Sequence, residues 1–310
     1  MLNPRLRTYL DNIALTTAVP ISELTPQEVR AGAVVRLTPH LGDLALMASV
    51  EELYISGPTA ELPIRIYRPE ITKGLPAIIM FHGGGWVAGN INLNEAQHRM
   101  LAQETGCLVI AVNYQKAPEH KFPIPHNDCY FTLEWVFENA VQLGINPRRI
   151  GVGGDSAGAN LAIGVALRAR DTSGPKIAFQ VLIYPSVDHK FDYSSMIENA
   201  EGYNLTKAGM QWYLAQYLRD ERDLQNAYAI PMRAKDFKDM PPSIVLSAEF
   251  DPLRDEAEVF AERLKNDGVN VHYKLYEGMI HGFCFLLGIL PESHLAYKEI
   301  GIWVRQFLEN

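Results

Sequence analysis

A serine stands between glycines at Gly154-Asp155-Ser156-Ala157-Gly158, where the apolar run RRIGVG passes into the small-residue run AGANLAIGVAL. This G-x-S-x-G pattern, in a strand–turn–helix context, is typical of a nucleophile held on a sharp turn with its hydroxyl exposed. The glycines leave room for the close backbone approach that such a turn needs. A helix-capping serine or a dinucleotide-binding loop is the alternative, but Ser156 occupies the place of the third glycine in the dinucleotide pattern. The pattern therefore favours a nucleophilic serine.

A second glycine-rich stretch, His82-Gly83-Gly84-Gly85, follows the apolar run LPAIIMF. Consecutive glycines free backbone N–H groups to point at one anion, here the oxyanion of an acyl-transfer intermediate. The same stretch also fits a G-x-G-x-x-A phosphate loop. However, the next apolar run ends in Asn113-Tyr114 and lacks the acidic residue that would hold a ribose. We therefore predict an oxyanion-stabilising loop in which His82 supports the loop and takes no part in proton transfer.

A nucleophilic serine requires a general base, and four histidines follow Ser156 in the chain. His281 lies just past a predicted strand end, in the glycine-flanked segment EGMIHGFCF, where a side chain is free to reach a site. The other histidines fall in the segment before any candidate acid, in an alternating strand and in a C-terminal helix: His189, His272 and His294. We predict His281 as the base.

The base must be oriented by an acid. Asp251 directly follows the apolar run PSIVLSAEF and precedes Pro252, the place where a parallel strand brings a side chain to the carboxyl edge of a sheet. Glu249 is the alternative acid, on the same face of the strand but deeper, because side chains repeat every two residues. We favour Asp251. The resulting order Ser, Asp, His is that of α/β-hydrolases, and differs from the trypsin-like and subtilisin-like orders.

The elements that must position these residues alternate along the chain. Seven apolar or alternating runs, from LPIRIYRP to VHYKLYEG, are separated by predicted helices. This alternation predicts an α/β fold whose mostly parallel sheet is covered by helices on both faces. Two predicted helices precede it, one after Asn3-Pro4 and one after the capping box that begins at Thr25. Residues 186–235 interrupt the alternation with an aromatic-rich helix after Thr206, which is either an extra helix packed on the core or part of a lid.

Six motifs in this order resemble the hormone-sensitive-lipase-like esterases, bacterial esterase family IV of the α/β-hydrolase superfamily. They are HGGGW at 82–86, YQKAPEHKFP at 114–123, GDSAGAN at 154–160, YP at 184–185, DPLRDE at 251–256 and HGF at 281–283. The resemblance implies an α/β-hydrolase fold with about eight strands. It also implies a catalytic core over 51–185 and 236–310, with a helical cap formed by the N-terminal helices of 1–50 and the insertion 186–235.

The resemblance also implies a function. It assigns oxyanion donors to Gly84, Gly85 and Ala157, with Gly83 shaping the turn, beside a triad of Ser156, Asp251 and His281. The expected activity is that of a serine carboxylesterase acting on short- to medium-chain acyl esters through an acyl-enzyme, with no metal or organic cofactor. An amidase or lactonase using the same triad is the nearer alternative. A hydrolase-like receptor is the more distant one, since such receptors lose the histidine that His281 supplies here.

Composition restricts the partners. The 310 residues carry 36 acidic and 28 basic side chains, a formal net charge of −8, which disfavours nucleic acid and anionic membranes as partners. The three cysteines, Cys107, Cys129 and Cys284, are too scattered for a disulfide framework or a zinc site. No apolar run approaches the roughly 18 residues of a membrane span. Without a signal-peptide pattern we expect a cytoplasmic monomer or homodimer whose partner is a small-molecule ester.

Overall fold

A computed structural model describes residues 1–14 and 19–309; positions 15–18 and 310, which include part of the predicted N-terminal cap region, lie outside the described residues. Its eight strands form one sheet in the order β1-β2-β4-β3-β5-β6-β7-β8. The strands are β1 (Ser49–Ser56), β2 (Glu61–Arg68), β3 (Leu75–Phe81), β4 (Leu108–Val112), β5 (Ile145–Asp155), β6 (Gln180–Ile183), β7 (Ser243–Phe250) and β8 (Val271–Ile280). The predicted α/β-hydrolase fold is confirmed, with a mostly parallel sheet of eight strands.

Only the first edge of the sheet is antiparallel. β1 pairs with β2, and β2 with β4, in antiparallel register, whereas β4, β3, β5, β6, β7 and β8 are parallel. The sequence prediction missed β1. The reason is its position at the edge, where all but one of its residues are partly or fully exposed, so that the strand lacks the apolar run that reveals a buried neighbour.

Helices cover both faces of the sheet. They are α1 (Pro4–Ala14), α2 (Pro26–Leu37), α3 (Glu95–Thr105), α4 (Ile124–Glu138), α5 (Ala157–Asp171), α6 (Ser194–Glu198), α7 (Lys207–Tyr217), α8 (Arg254–Asn266) and α9 (Pro291–Glu309). Alternate side chains of β3 enter opposite cores: Ile79 joins the cluster under α4, α5 and α8, while Ile78 joins the cluster under α1, α3 and α9. The sheet is therefore buried on both faces, as its apolar strands predict.

The two predicted N-terminal helices and the helix of the insertion are confirmed. α2 begins with the predicted capping box, in which Thr25 Oγ1 accepts from Glu28 N and the Glu28 carboxylate accepts from Thr25 N. α7 begins after Thr206, whose Oγ1 accepts from Gly209 N. Apolar side chains of α2 and α7 meet over Ala88, so these distant segments pack together beside the glycine-rich loop.

Among residues 1–14 and 19–309, no helix is long and apolar enough to cross a membrane. The three cysteines are buried and unpaired. Within the same residues no group of three or more His, Cys, Asp or Glu side chains is arranged to hold a metal ion.

Two helix glycines provide a stability test. A Cβ on Gly301 of α9 would overlap the carbonyl oxygen of Glu104, whereas a Cβ on Gly32 of α2 would meet nothing within 4 Å. We expect Gly301→Ala to lower the free energy of unfolding by about 1–3 kcal/mol, because the packed helices must separate. Gly32→Ala should raise it by up to about 1 kcal/mol, because alanine loses less backbone entropy in a helix. Urea unfolding followed by circular dichroism measures both, and equal effects would contradict this packing.

Candidate active site

Ser156 lies at the turn between β5 and α5 with φ 54° and ψ −120°, a backbone conformation that serine rarely adopts. Its N–H donates to Ile183 O over 2.9 Å, and its carbonyl accepts from Asn160 N over 3.1 Å. A Cβ on Gly158 would overlap the carbonyl oxygen of Phe81 at the end of β3. The turn thus requires a residue without a side chain at 158, and it projects the Ser156 hydroxyl beyond the carboxyl edge of the sheet.

Three side chains from separate parts of the chain form one hydrogen-bonded series. His281 Nε2 lies 2.9 Å from Ser156 Oγ, and His281 Nδ1 lies 2.7 Å from Asp251 Oδ2. Asp251 follows β7 and His281 follows β8, so neighbouring parallel strands deliver both to the same edge as Ser156. Asp251 is fully buried, and its other oxygen accepts from Leu253 N over 2.8 Å. The carboxylate is thereby fixed towards the imidazole.

The structure places the alternative candidates elsewhere. Glu249 accepts from Gly278 N over 2.6 Å and forms no hydrogen bond with His281. The remaining downstream histidines contact other groups: His189 lies against Arg233, His272 stacks on Trp303, and His294 Nε2 lies 2.9 Å from Leu287 O. Asp251 and His281 are the predicted acid and base that the fold brings to Ser156.

The glycine-rich loop lies beside the serine. Gly84 and Gly85 have φ of 113° and 61°, values that favour glycine, and the Gly84 carbonyl accepts from Val87 N and Ala88 N. Within the described chain, the N–H groups of Gly84, Gly85 and Ala157 have no protein acceptor. Ala157 is the first residue of α5, where an N–H has no partner within the helix. Three N–H donors without a protein acceptor thus belong to this site: that of Ala157, which follows Ser156 in the chain, and those of Gly84 and Gly85, which line the same cavity as Ser156.

Buried polar groups hold this loop from the core side. Gly83 N donates to Asp155 Oδ1 over 3.0 Å, and the Tyr114 hydroxyl donates to His82 O over 2.7 Å. The Tyr114 ring also stacks on the imidazole of His82, with ring centroids 4.3 Å apart. Burial, aided by the charge of Lys116, holds the pKa of His82 well below its usual value, so this imidazole stays neutral. Tyr114 was absent from the predicted site, although its place at the end of the run CLVIAVNY marks the same sheet edge.

Aromatic side chains of α7 cover the loop from the other side. A Cβ on Gly85 would overlap the ring of Tyr213, and Trp86 stacks on Tyr217 with centroids 4.4 Å apart. Tyr184 lies beside the base, its ring centroid 4.7 Å from that of His281. The sequence prediction gave none of these contacts, because they depend on how the insertion packs against the core.

A cavity of about 650 Å³ opens onto Ser156 and His281. Its opposite wall comes from α2, from residues 19–24 and from the segment that leads into α7. Apolar side chains such as Val29, Leu205 and Met210 supply much of that wall. The cavity has room for a small organic ester beside the hydroxyl.

Asp155 gives the site a measurable pH signature. Burial raises the pKa of its carboxyl from 3.8 to about 6, although the hydrogen bond from Gly83 opposes the shift. Between these values the folded protein keeps a proton that the unfolded chain has lost, so this group lowers stability as pH rises. We expect the free energy of unfolding of the wild type, relative to Asp155→Asn, to fall from pH 3.8 to about 6 and to stay level above. Denaturant unfolding at successive pH values measures it, and a level difference throughout would contradict the shift.

Comparison with known proteins identifies the family of the chain. Residues 78–285 match the family described as alpha/beta hydrolase fold. The chain is 36% identical over 257 residues to a protein named carboxylic ester hydrolase LipN from Mycobacterium tuberculosis, covering 81% of this chain and 68% of that protein. It is 34% identical over 283 residues to an arylesterase from Saccharolobus solfataricus, covering 91% and 92% of the two chains.

A solved structure, that of the hyperthermophilic esterase from Pyrobaculum calidifontis, superimposes with a TM-score of 0.94 at 35% identity, covering 99% of each chain. The family match spans more than half of the chain, and the sequence relatives exceed 30% identity over most of it. The chain belongs to the alpha/beta hydrolase fold family and, within it, to the hormone-sensitive-lipase-like group whose motifs it carries.

Proposed function

We propose that this protein is a carboxylesterase in which Ser156 is the nucleophile, His281 the general base and Asp251 the acid that orients it. The observation that carries the proposal is the series of short contacts from Ser156 Oγ through His281 to Asp251, 2.9 Å and 2.7 Å long. Relatives that share most of the chain are named as ester hydrolases, which supports the same reaction class here.

The reaction begins when His281 Nε2 takes the proton of Ser156 as Oγ attacks the ester carbonyl carbon. Asp251 keeps the imidazole in the tautomer whose Nδ1 carries the proton, and it stabilises the imidazolium that forms. The tetrahedral intermediate collapses when the imidazolium returns its proton to the leaving alcohol. A water molecule, deprotonated by the same imidazole, then attacks the acyl-enzyme and releases the carboxylic acid.

The oxyanion of each intermediate is stabilised in this proposal by the N–H groups of Gly84, Gly85 and Ala157. Their lack of protein acceptors supports the assignment, since unpaired donors in a site that excludes water interact strongly with developing charge. Removing one such donor costs about 3–4 kcal/mol of transition-state stabilisation in comparable sites. Gly83 and His82 stabilise the conformation of the loop, because Gly83 N donates to Asp155 and His82 O accepts from Tyr114.

The substrate class follows from the cavity. We propose that α1, α2 and the segment 186–235 form a cap over a catalytic core of 51–185 and 236–310. The wall from α2 and α7 limits the cavity to about 650 Å³, a size that suits short- to medium-chain acyl esters. Long acyl chains would have to leave this space along the cap.

Substitutions in the triad test the assignment. We expect Ser156→Ala and Asp251→Asn each to lower kcat for p-nitrophenyl acetate and butyrate by about 10⁴-fold or more, because one removes the nucleophile and the other the required tautomer. The release of p-nitrophenolate measures both. Circular dichroism establishes that each variant is folded.

Glu249→Gln is the matched control for the acid. It removes a carboxylate two residues from Asp251, but this carboxylate accepts from Gly278 N and does not contact His281. We expect the control to keep kcat within a few-fold of the wild type. An Asp251→Asn enzyme as active as Glu249→Gln, or a Ser156→Ala enzyme that keeps most of its activity, would overturn the triad.

A further inference from the structure

Arg36 is a half-buried guanidinium in the wall of the cavity that contains Ser156. It lies in the last turn of α2. In the described part of the chain it has no ion-pair partner, and none of its nitrogens donates to a protein acceptor. Nε is buried, whereas the terminal Nη1 and Nη2 are not, so the end of the guanidinium is accessible from the cavity. A half-buried charged donor is unfavourable unless an acceptor satisfies it. The side chain is therefore placed to donate, from Nη1 and Nη2, to a molecule in the cavity.

The other arginine of α2 shows what a structural role looks like in this helix. Arg30 donates to the carbonyls of Val87 and Ala117 and forms a two-contact ion pair with Glu119. A cation in the last turn of a helix is stabilised by the helix dipole, which accounts for a positive charge at position 36. The dipole supplies no hydrogen-bond acceptor, so Arg36 lacks the structural partners that Arg30 has.

Arg36 lines the same cavity as the reacting groups. Ser156, His281 and Gly85 also contribute to its wall, and so does Tyr213, whose ring covers Gly85. Burial raises the pKa of Tyr213, and the positive charge of Arg36 opposes that rise. A substrate whose carbonyl lies at Ser156 therefore shares one cavity with the guanidinium, which its distal end can contact.

The carboxylates of the cavity wall do not pair with Arg36. Three carboxylates line the same cavity. Asp155 is bound to Gly83 N, Glu28 is bound to Thr25 at the opposite end of α2, and Glu201 is exposed. The two exposed carboxylates are screened by water and salt far more than the half-buried guanidinium.

We propose that Arg36 binds a free carboxylate of the substrate, and that this enzyme acts on esters that carry a second, ionised acid group, such as half-esters of dicarboxylic acids. The inference rests on the proposed esterase function and names its substrate class. The carboxylate supplies acceptors for the unpaired Nη1 and Nη2, in charge-assisted hydrogen bonds that the planar guanidinium favours. The contact fixes the distal end of the substrate while the ester carbonyl lies between Ser156 and the oxyanion donors.

The test compares charged and neutral esters of equal length. The substrates are monomethyl esters of straight-chain dicarboxylic acids from glutarate to sebacate, each paired with the methyl ester of the corresponding ω-carboxamide. Hydrolysis is followed by pH-stat. For the best chain length, we expect the wild-type kcat/KM to be about tenfold higher for the carboxylate than for the carboxamide, mainly through KM, because the contact is made in the ground state as well as the transition state.

Variants of Arg36 test whether this residue causes the preference for the carboxylate ester. Arg36→Gln should bring the ratio of the two kcat/KM values close to one, whereas Arg36→Lys should keep part of it. Arg7→Gln, which removes the same charge from an exposed position of α1 outside the cavity wall, should leave the ratio unchanged. Hydrolysis of the carboxamide ester by each variant shows that the variant is folded.

A wild-type ratio near one at every chain length, or a ratio that Arg36→Gln does not change, would overturn the inference. Should Arg36→Gln fail to fold, salt provides the second measurement in the wild type. We expect 0.5 M NaCl to screen the attraction between Arg36 and the substrate carboxylate, and so to reduce the ratio of kcat/KM for the carboxylate ester to that for the carboxamide ester. A ratio that does not change with salt would contradict an ionic contact. Failure of the wild type to hydrolyse any ester, neutral ones included, would instead contradict the proposed esterase function.

Discussion

The backbone of Ser156 is the constraint on which the site depends. A non-glycine residue with φ 54° and ψ −120° is strained by about 1–3 kcal/mol, and such a conformation persists only where its surroundings hold it. Here β6 accepts the serine N–H, α5 begins immediately after it, and the absence of a side chain at Gly158 lets the turn lie against the end of β3. The strain directs Oγ towards His281 and leaves the first N–H of α5 unpaired. A relaxed turn would lose both the direction of Oγ towards His281 and the unpaired N–H of Ala157.

The glycine-rich loop is held between two layers of the protein. Asp155, His82 and Tyr114 fix it from the core, while Tyr213 and Tyr217 of α7 and Arg30 of α2 contact it from outside. α2 and α7 are distant in the chain, yet both pack on this loop. Movement of α7 would therefore displace the loop as well as open the cavity. The proposed cap is thus connected to the proposed oxyanion donors by direct packing, with no intermediate element.

Local sequence patterns predicted the fold and the residues that meet at Ser156, because strand ends and glycine turns leave local signals. The run before Asp251 and the glycine after His281 indicated which side chains reach the sheet edge. Other features have no such signal. β1 is an exposed edge strand without an apolar run, and the contact of Tyr213 with Gly85 depends on how a distant helix packs. The lack of a protein partner for the Arg36 guanidinium is visible only once its surroundings are known, since the sequence gives the charge but not its partners.

Covalent labelling tests whether Ser156 is the activated nucleophile. The wild type is treated with diethyl p-nitrophenyl phosphate, and p-nitrophenolate release, intact mass and peptide mass spectra are recorded on the same sample. We expect each chain to gain one diethylphosphoryl group, located on Ser156, in step with the loss of esterase activity. Labelling at another residue in step with that loss, or full inactivation with Ser156 unmodified, would contradict it.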